Sequence, residues 1–235
     1  MVAKDFRLTS VRLALFSNKP GELTPSVVLG RVLGDHHSLF DGQIMTFPLP
    51  EDAPSEIPRL TLASADGSQR LEVGPQRLDI HWNNVLGDVP KLEDIIKKIS
   101  APILTLLEPG DLSIGRCAVI VTRQLDVQKA ADILRDKFCK KEVITGNGPL
   151  KRTDNFEIHN HKKYTLKPVD IEINSWVRCK AVTAYPTSNT AILVEQDLNT
   201  PMEQLTTTRF NKVETEQFYD AAIKEIANVL TIYFG

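Results

Sequence analysis

Alternation of hydrophobic and polar residues predicts a series of β-strands along the chain. The first strand covers residues 6–17, and its pattern slips by one position near Thr9 and Ser10, which indicates a β-bulge. The same alternation, bounded by turn residues such as Asp66-Gly67, predicts the later strands. They cover residues 60–63, 70–73, 78–82, 112–125, 155–161, 169–185 and 190–198.

Apolar residues at helical spacing predict four helices between these strands. The first begins at Thr24-Pro25, a capping residue followed by proline at the first helical position, and ends near Gly34. Pro102 falls inside the second helix and is predicted to kink or interrupt it. The later helices cover residues 91–107, 127–138 behind a predicted cap at Asp126, and 214–234.

The order β-α-β-β-β-α therefore occurs twice, with a seam near Pro109 and Gly110. This repetition predicts an α+β fold of two tandem units over residues 1–110 and 111–235, which form either two units or one continuous domain. Mostly antiparallel sheet with the helices packed on one face is the arrangement expected for such units. The repeated order also suggests a tandem duplication, although the two halves do not align residue by residue.

Composition and charge exclude several classes of protein. Hydrophobic residues make up 42% and charged residues 25% of the chain, and the formal net charge is -2. These values are typical of a globular protein and argue against disorder and non-specific coating of DNA. No apolar stretch is long enough to span a bilayer, and residues 1–7 lack the apolar core of a signal peptide. We therefore expect a cytoplasmic protein without a membrane partner, with Cys117, Cys139 and Cys179 as reduced thiols.

Residues 62–83 resemble part of a known protein family. The turn at Asp66-Gly67, the stretch from Leu71 to Leu78 and then His81-Trp82-Asn83 resemble the signature block of an uncharacterised prokaryotic protein family. That family has a DG hairpin followed by a DR…NW-like strand and is distributed sporadically among bacterial genomes. The late strand from Leu193 to Leu198 is similar as well, whereas His81 stands where the family tends to have asparagine.

The resemblance implies a fold and a size, but no catalytic residue. Sporadic distribution is typical of accessory genes, which implies a partner protein in a prokaryotic defence or mobile-element system. No motif in the chain is specific to a reaction, so we expect a non-enzymatic binding or adaptor protein that engages a protein partner and needs no cofactor. A homodimer formed through an exposed edge strand is a further expectation.

Basic residues between positions 140 and 167 lead to a different hypothesis. If their loops converge, the side chains would form a patch that holds the phosphates of a nucleic acid, in which case binding would weaken steeply with salt. The alternative is that these residues are solvated charges in loops. The residues concerned are Lys140, Lys141, Lys151, Arg152, Lys162, Lys163 and Lys167.

Two histidines lead to a third hypothesis, a metal-dependent enzyme. His159 and His161 are two residues apart in a predicted strand, so their side chains lie on one face and could bind one metal ion, with His81 or Glu157 completing its ligands. The alternative is a pair of solvated histidines beside Lys162 and Lys163.

Four further side chains are given structural roles by the pattern. Trp82 and Trp176 both fall in predicted strands, and we expect each indole to pack in the core. Arg77 and Asp79 flank Leu78 in a strand, so they share a face of the sheet and are expected to form a surface ion pair.

Overall fold

The described residues form one antiparallel sheet of nine strands, with helices packed against one of its faces. A computed structural model of the chain describes residues 1–50, 53–54, 57–151, 153–184 and 189–235. The strands are β1 Arg7–Ser17, β2 Ile44–Thr46, β3 Leu60–Ala63, β4 Gln69–Val73, β5 Arg77–Asn83, β6 Ile114–Asp126, β7 Glu157–Leu166, β8 Ile171–Ala184 and β9 Asn189–Asn199. Their order across the sheet is β2-β3-β4-β5-β1-β6-β9-β8-β7.

Five α-helices are found in the described part of the chain. They are α1 Pro25–His36, α2 Leu92–Leu107, α3 Ala130–Phe138, α4 Lys141–Ile144 and α5 Lys212–Phe234. Capping residues explain where α1 and α5 begin. The Thr24 side chain accepts a hydrogen bond from the N–H of Val27, and Asn211 forms a capping box with Glu214. These caps satisfy donors that would otherwise be unpaired at each helix start.

The two halves of the chain meet at the centre of the sheet. β1 pairs with β6, and outward from this pair the order is β5, β4, β3 on one side and β9, β8, β7 on the other. The larger hydrophobic cluster contains residues of both halves, including Leu13 and Ile103 from the first and Leu198 and Phe218 from the second. In the first half, β2 adds a strand after α1, so the observed order there is β-α-β-β-β-β-α, and a tandem repeat stays a prediction.

The sheet has one helix side and one helix-free side. Alternate residues of each central strand, such as Leu13 in β1 and Val119 in β6, are buried against α1, α2 and α5. A smaller cluster lies under α3 and the end of α5 and contains Val177, Val194 and Phe234. Residues of the opposite parity, such as Arg12 in β1, lie on the helix-free side.

Several predicted features differ from the structure. Asp126 does not cap a helix: it is the last residue of β6 and pairs with Arg7 at 3.1 Å, because the ladder with β9 continues to this position. α2 continues through Pro102, so the alternative of an interruption there is wrong, while the kink stays a prediction. The bulge near Thr9 is confirmed by a register shift between Leu8 and Ser10. β2 and α4 are additions that the sequence pattern does not predict, and the predicted strand end at Tyr185 lies outside the described residues.

The three cysteines are unpaired thiols. Cys117 and Cys179 are buried, and burial raises the pKa of the Cys179 thiol to about 12 and that of Cys117 further. In the described ranges, no helix combines the length and the apolar character needed to cross a membrane.

Two glycines in α1 offer a direct test of its stability. Gly30 and Gly34 are exposed, and a Cβ at either position would meet no atom within 4 Å. Because alanine is favoured over glycine inside a helix by about 0.8–1.0 kcal/mol, Gly30→Ala and Gly34→Ala should each raise the free energy of unfolding by about that amount. Urea denaturation measures this; a lower midpoint for either variant would show that the residue is not in a regular exposed helix.

Candidate functional site

The long edge of the sheet is the first notable feature of its surface. β7 is a ten-residue strand at one end of the sheet, whereas β2 at the other end has three residues. Seven residues of β7 are exposed, Ile158 and Tyr164 are half-buried, and only Leu166 is buried. A strand of this length presents an edge of about 33 Å to solvent.

The hydrogen-bonding direction of β7 follows from its ladder with β8. Phe156 precedes β7 by one residue and lies opposite Ala181 in the register. The N–H of Ala181 donates to the carbonyl of Phe156 at 3.0 Å, so the two residues are a hydrogen-bonded pair. Since such pairs alternate in an antiparallel ladder, the even-numbered residues of β7 bond to β8. The odd-numbered residues therefore direct their N–H and C=O groups outward: Glu157, His159, His161, Lys163 and Thr165.

Side chains of β7 alternate between the two sides of the sheet. Ile158 and Asn160 are opposite Cys179 and Val177, whose side chains are buried under the helices, so even-numbered residues face the helix side. Odd-numbered residues such as His159, opposite Arg178, face the helix-free side. An extended segment bound along β7 would direct its own side chains alternately to the same two sides.

A cleft lies beside β7 on the helix side. Its volume is about 410 Å³, and it is formed between β7 and β8 on one side and the ends of α3 and α5 on the other. Its apolar wall consists of Phe138, Val177, Val229, Ile232 and Tyr233. Ile232 is 72% exposed, so part of this wall is open to solvent. Exposed aliphatic and aromatic side chains around a cleft are typical of a binding site.

The polar part of the cleft lining is ordered by hydrogen bonds. Tyr164 donates its hydroxyl hydrogen to the carboxylate of Glu225, and Asn160 donates to the hydroxyl of Tyr233 at 2.7 Å. Burial, followed by the bond to Glu225, raises the pKa of Tyr164 to about 12. Tyr164 therefore stays protonated at neutral pH, and its donor is already used by Glu225.

Lys162, which lines the cleft, and Lys137 of α3 form no ion pair with a carboxylate among the described residues. Lys162 lines the cleft, with its Nζ 4.8 Å from the ring centroid of Tyr164. Lys137 lies next to Phe138, with its Nζ 5.9 Å from that ring centroid. Lys163, by contrast, faces the helix-free side and pairs with Glu172 at 2.8 Å. Lys162 is thus a cation on the helix side of β7 that forms no ion pair with a described side chain, although the carboxylate of Glu225 also lines the cleft.

The predicted basic patch is dispersed over several elements. Lys140 and Lys141 lie at the start of α4 and Lys151 follows it, whereas Lys167 lies in the turn after β7 and pairs with Asp170. Lys162 and Lys163 are on opposite sides of the sheet. Arg152 lies outside the described residues. A role of these residues in binding nucleic acid stays a prediction.

The two histidines lie on one face of β7, as their spacing predicts. His159 Nε2 is 3.2 Å from Glu157 Oε2, while His161 Nε2 is 3.0 Å from Asn174 Oδ1. His81 is on β5, five strands away or about 24 Å, so it does not join them. Within the described ranges, no three side chains of the types that bind metals are grouped as ligands. Metal binding by this pair stays a prediction.

Trp176 does not pack in the core as predicted. It lies on the helix-free side, where its ring stacks on His161 at a centroid distance of 4.0 Å and Arg178 lies over it at 5.3 Å. The strand alternation alone does not show which face of β8 the helices cover. Trp82 is buried in the larger hydrophobic cluster, so its prediction is confirmed.

A second depression lies on the helix-free side, with a volume of about 190 Å³. The predicted ion pair is present there, with Arg77 Nε 2.6 Å from Asp79 Oδ2, and Arg12 Nε is 3.3 Å from Asp79 Oδ1. His81 Nε2 lies 3.4 Å from Glu72 Oε2 at its edge, and this contact lowers the pKa of Glu72. Because the charges here are largely paired with one another, this depression is less suited to a charged partner than the cleft beside β7.

The cleft could not be found from the sequence. Apolar spacing places Phe138 and Tyr233 on helix stripes, and nothing local connects them to β7. The chain matches no model of a known protein family and no curated protein in sequence. The resemblance carried by residues 62–83 therefore stays a prediction, and the function has to be argued from the edge strand and the cleft.

Proposed function

We propose that the chain is a protein-binding module that captures an extended segment of a partner as an additional strand along β7. The observation that carries this proposal is the combination of an unpaired ten-residue edge with an adjoining cleft of about 410 Å³. In strand addition, main-chain hydrogen bonds supply affinity, and pockets for alternate side chains supply specificity. The placement of the partner in a defence or mobile-element system stays a prediction.

The backbone of β7 supports this mode of binding. Its five odd-numbered residues each offer one outward N–H and one outward C=O, and no described segment bonds to them on the outer side. Edge strands usually avoid such pairing through shortness, proline, bulges or charge. β7 is long and has neither proline nor a register shift. Of these four devices, only its charged side chains are left to restrict which segments can pair with it.

The cleft supports specificity for the partner. The added strand would direct every second side chain to the helix side, next to the aliphatic surface of Val229 and Ile232. Burial of one large apolar side chain there contributes about 1.5–3 kcal/mol, which is comparable to several net hydrogen bonds. A segment with a suitable side chain at one position would therefore be selected over other extended chains.

Two variants of one residue test strand addition. His161→Pro removes an outward N–H without breaking the ladder with β8, while His161→Ala removes the same imidazole and keeps the N–H. The probes are random dodecapeptides displayed on phage and selected for binding to the native chain. We expect them to bind His161→Ala nearly as well as they bind the native chain. They should bind His161→Pro at least about tenfold more weakly, because one hydrogen bond is lost and the proline ring obstructs the added strand.

The result can also contradict the proposal. Equal binding of the selected peptides to both variants, with both shown to be folded by circular dichroism, would rule out pairing along β7. A dimer of the native chain in sedimentation experiments that His161→Pro dissociates would assign the edge to a second copy instead of a partner. Either result would overturn strand addition by a foreign segment.

A further inference from the structure

The charge beside the cleft indicates what kind of segment fits, provided that strand addition at β7 holds. Lys162 and Lys137 lie on the helix side, each close to an aromatic ring, and neither forms an ion pair with a described carboxylate. Glu225, the acidic residue that lines the cleft, already accepts the hydrogen bond of Tyr164. An incoming carboxylate opposite Lys162 would thus meet a cation that has no ion pair with a described side chain, on a cleft whose lining also holds the anionic carboxylate of Glu225.

The walls of the cleft indicate the neighbouring side chain of the segment. Phe138 and Tyr233 stand near each other, with ring centroids 6.1 Å apart in a tilted arrangement, and Val229 and Ile232 complete the apolar surface. Aromatic rings favour tilted or offset contacts with another ring. An aromatic side chain suits this surface because it adds ring contacts to the burial of apolar area.

Strand geometry relates the two side chains. Residues two apart in an extended segment point to the same side and are separated by about 7 Å. Lys162 is on β7 itself, next to the position where an added strand would lie, whereas the aromatic wall is formed by the helix ends. An acidic residue two positions from the aromatic residue therefore reaches Lys162 while the ring occupies the cleft.

We propose that the partner segment is an acidic strand with an aromatic anchor: an aromatic residue in the cleft and aspartate or glutamate two positions away on the same side. The position of Lys162 on β7, without an ion pair to a described side chain, and the aromatic wall of the cleft carry this inference. It deepens the proposed strand addition and concerns the identity of the segment, not the occurrence of pairing.

Three matched peptides test this preference. Each is a fluorescein-labelled threonine-rich dodecapeptide with a central phenylalanine, and glutamate, glutamine or lysine stands two positions to either side. At low ionic strength we expect the glutamate peptide to bind best and the lysine peptide worst, with roughly a fivefold to tenfold span in fluorescence polarisation titrations, because partly exposed ion pairs are weak.

A pair of charge reversals provides the control. Lys162→Glu should invert the order of the glutamate and lysine peptides, since it replaces the cation of the cleft with a second carboxylate beside that of Glu225. Lys163→Glu changes the net charge equally but faces the helix-free side, so the original order should remain. An unchanged order in Lys162→Glu would overturn the acidic preference.

The outcomes separate the two proposals. If the glutamate and lysine peptides bind the native chain equally, and His161→Pro weakens both relative to His161→Ala, strand addition stands and the acidic preference is overturned. If His161→Pro and His161→Ala bind all three peptides alike, strand addition itself is overturned. If none of the three peptides binds while selected peptides do, the aromatic and acidic assignment is overturned.

Discussion

Replacing Gly115 with alanine is expected to lower the free energy of unfolding by about 3 kcal/mol or more, because the new methyl group would overlap a neighbouring backbone. A Cβ at this position would lie 1.7 Å from the carbonyl oxygen of Leu205 and 2.7 Å from its carbonyl carbon. Neither atom belongs to a flexible side chain, so the clash requires a backbone shift. Urea denaturation of Gly115→Ala and the native chain measures the difference.

The close approach at Gly115 fixes the segment between β9 and α5 against the sheet. On either side of the glycine, Ile114 accepts a hydrogen bond from the N–H of Phe210 at 2.7 Å, and Arg116 Nε donates to the carbonyl of Thr200 at 2.7 Å. Displacing Leu205 would strain both bonds. Gly30→Ala, the same substitution in open space, is the matched control and should stabilise the chain. A Gly115→Ala variant as stable as the native chain would contradict this packing.

The elements best predicted from the sequence are those with a strongly buried side. In β1 and α2 the apolar residues repeat at the period of the element, since one side packs on the core and the other contacts water. β7 shows why the edge is harder to predict. From Glu157 to Lys163 both sides of the strand are mostly exposed, so polar residues occupy both parities and no alternation marks the strand end.

The candidate site depends on contacts that no local pattern contains. Tyr164 and Glu225 are 61 positions apart, and Asn160 and Tyr233 are 73 apart, so the cleft exists only after α5 has packed beside β7. The sequence does identify Lys162 as one of several basic residues. It does not show that Lys162 and Lys163 lie on opposite sides with different partners, because that follows from which face of the sheet the helices cover.

A buried cation in the core presents a further departure from the hydrophobic pattern. Arg123 is on the helix side of β6, only 7% exposed, and donates from Nη1 to Gln196 Oε1 at 2.6 Å. Gln196 Nε2 donates in turn to the carbonyl of Ile226 in α5 at 2.7 Å. Burial lowers the pKa of Arg123 to about 10, with no described carboxylate opposing that shift. The Gln196 amide is therefore the main compensation for the buried charge.

Gln196→Leu should consequently lower the free energy of unfolding by about 3 kcal/mol, because it leaves the guanidinium of Arg123 buried without its acceptor. The double variant Arg123→Met with Gln196→Leu should recover most of that loss, since the unpaired charge is removed and apolar side chains of similar size fill the space. A double-mutant cycle in urea, completed by Arg123→Met alone, measures the coupling between the two residues. Additive losses, with the double variant less stable than Gln196→Leu, would mean that Arg123 stabilises the core through its stem and not through this hydrogen bond.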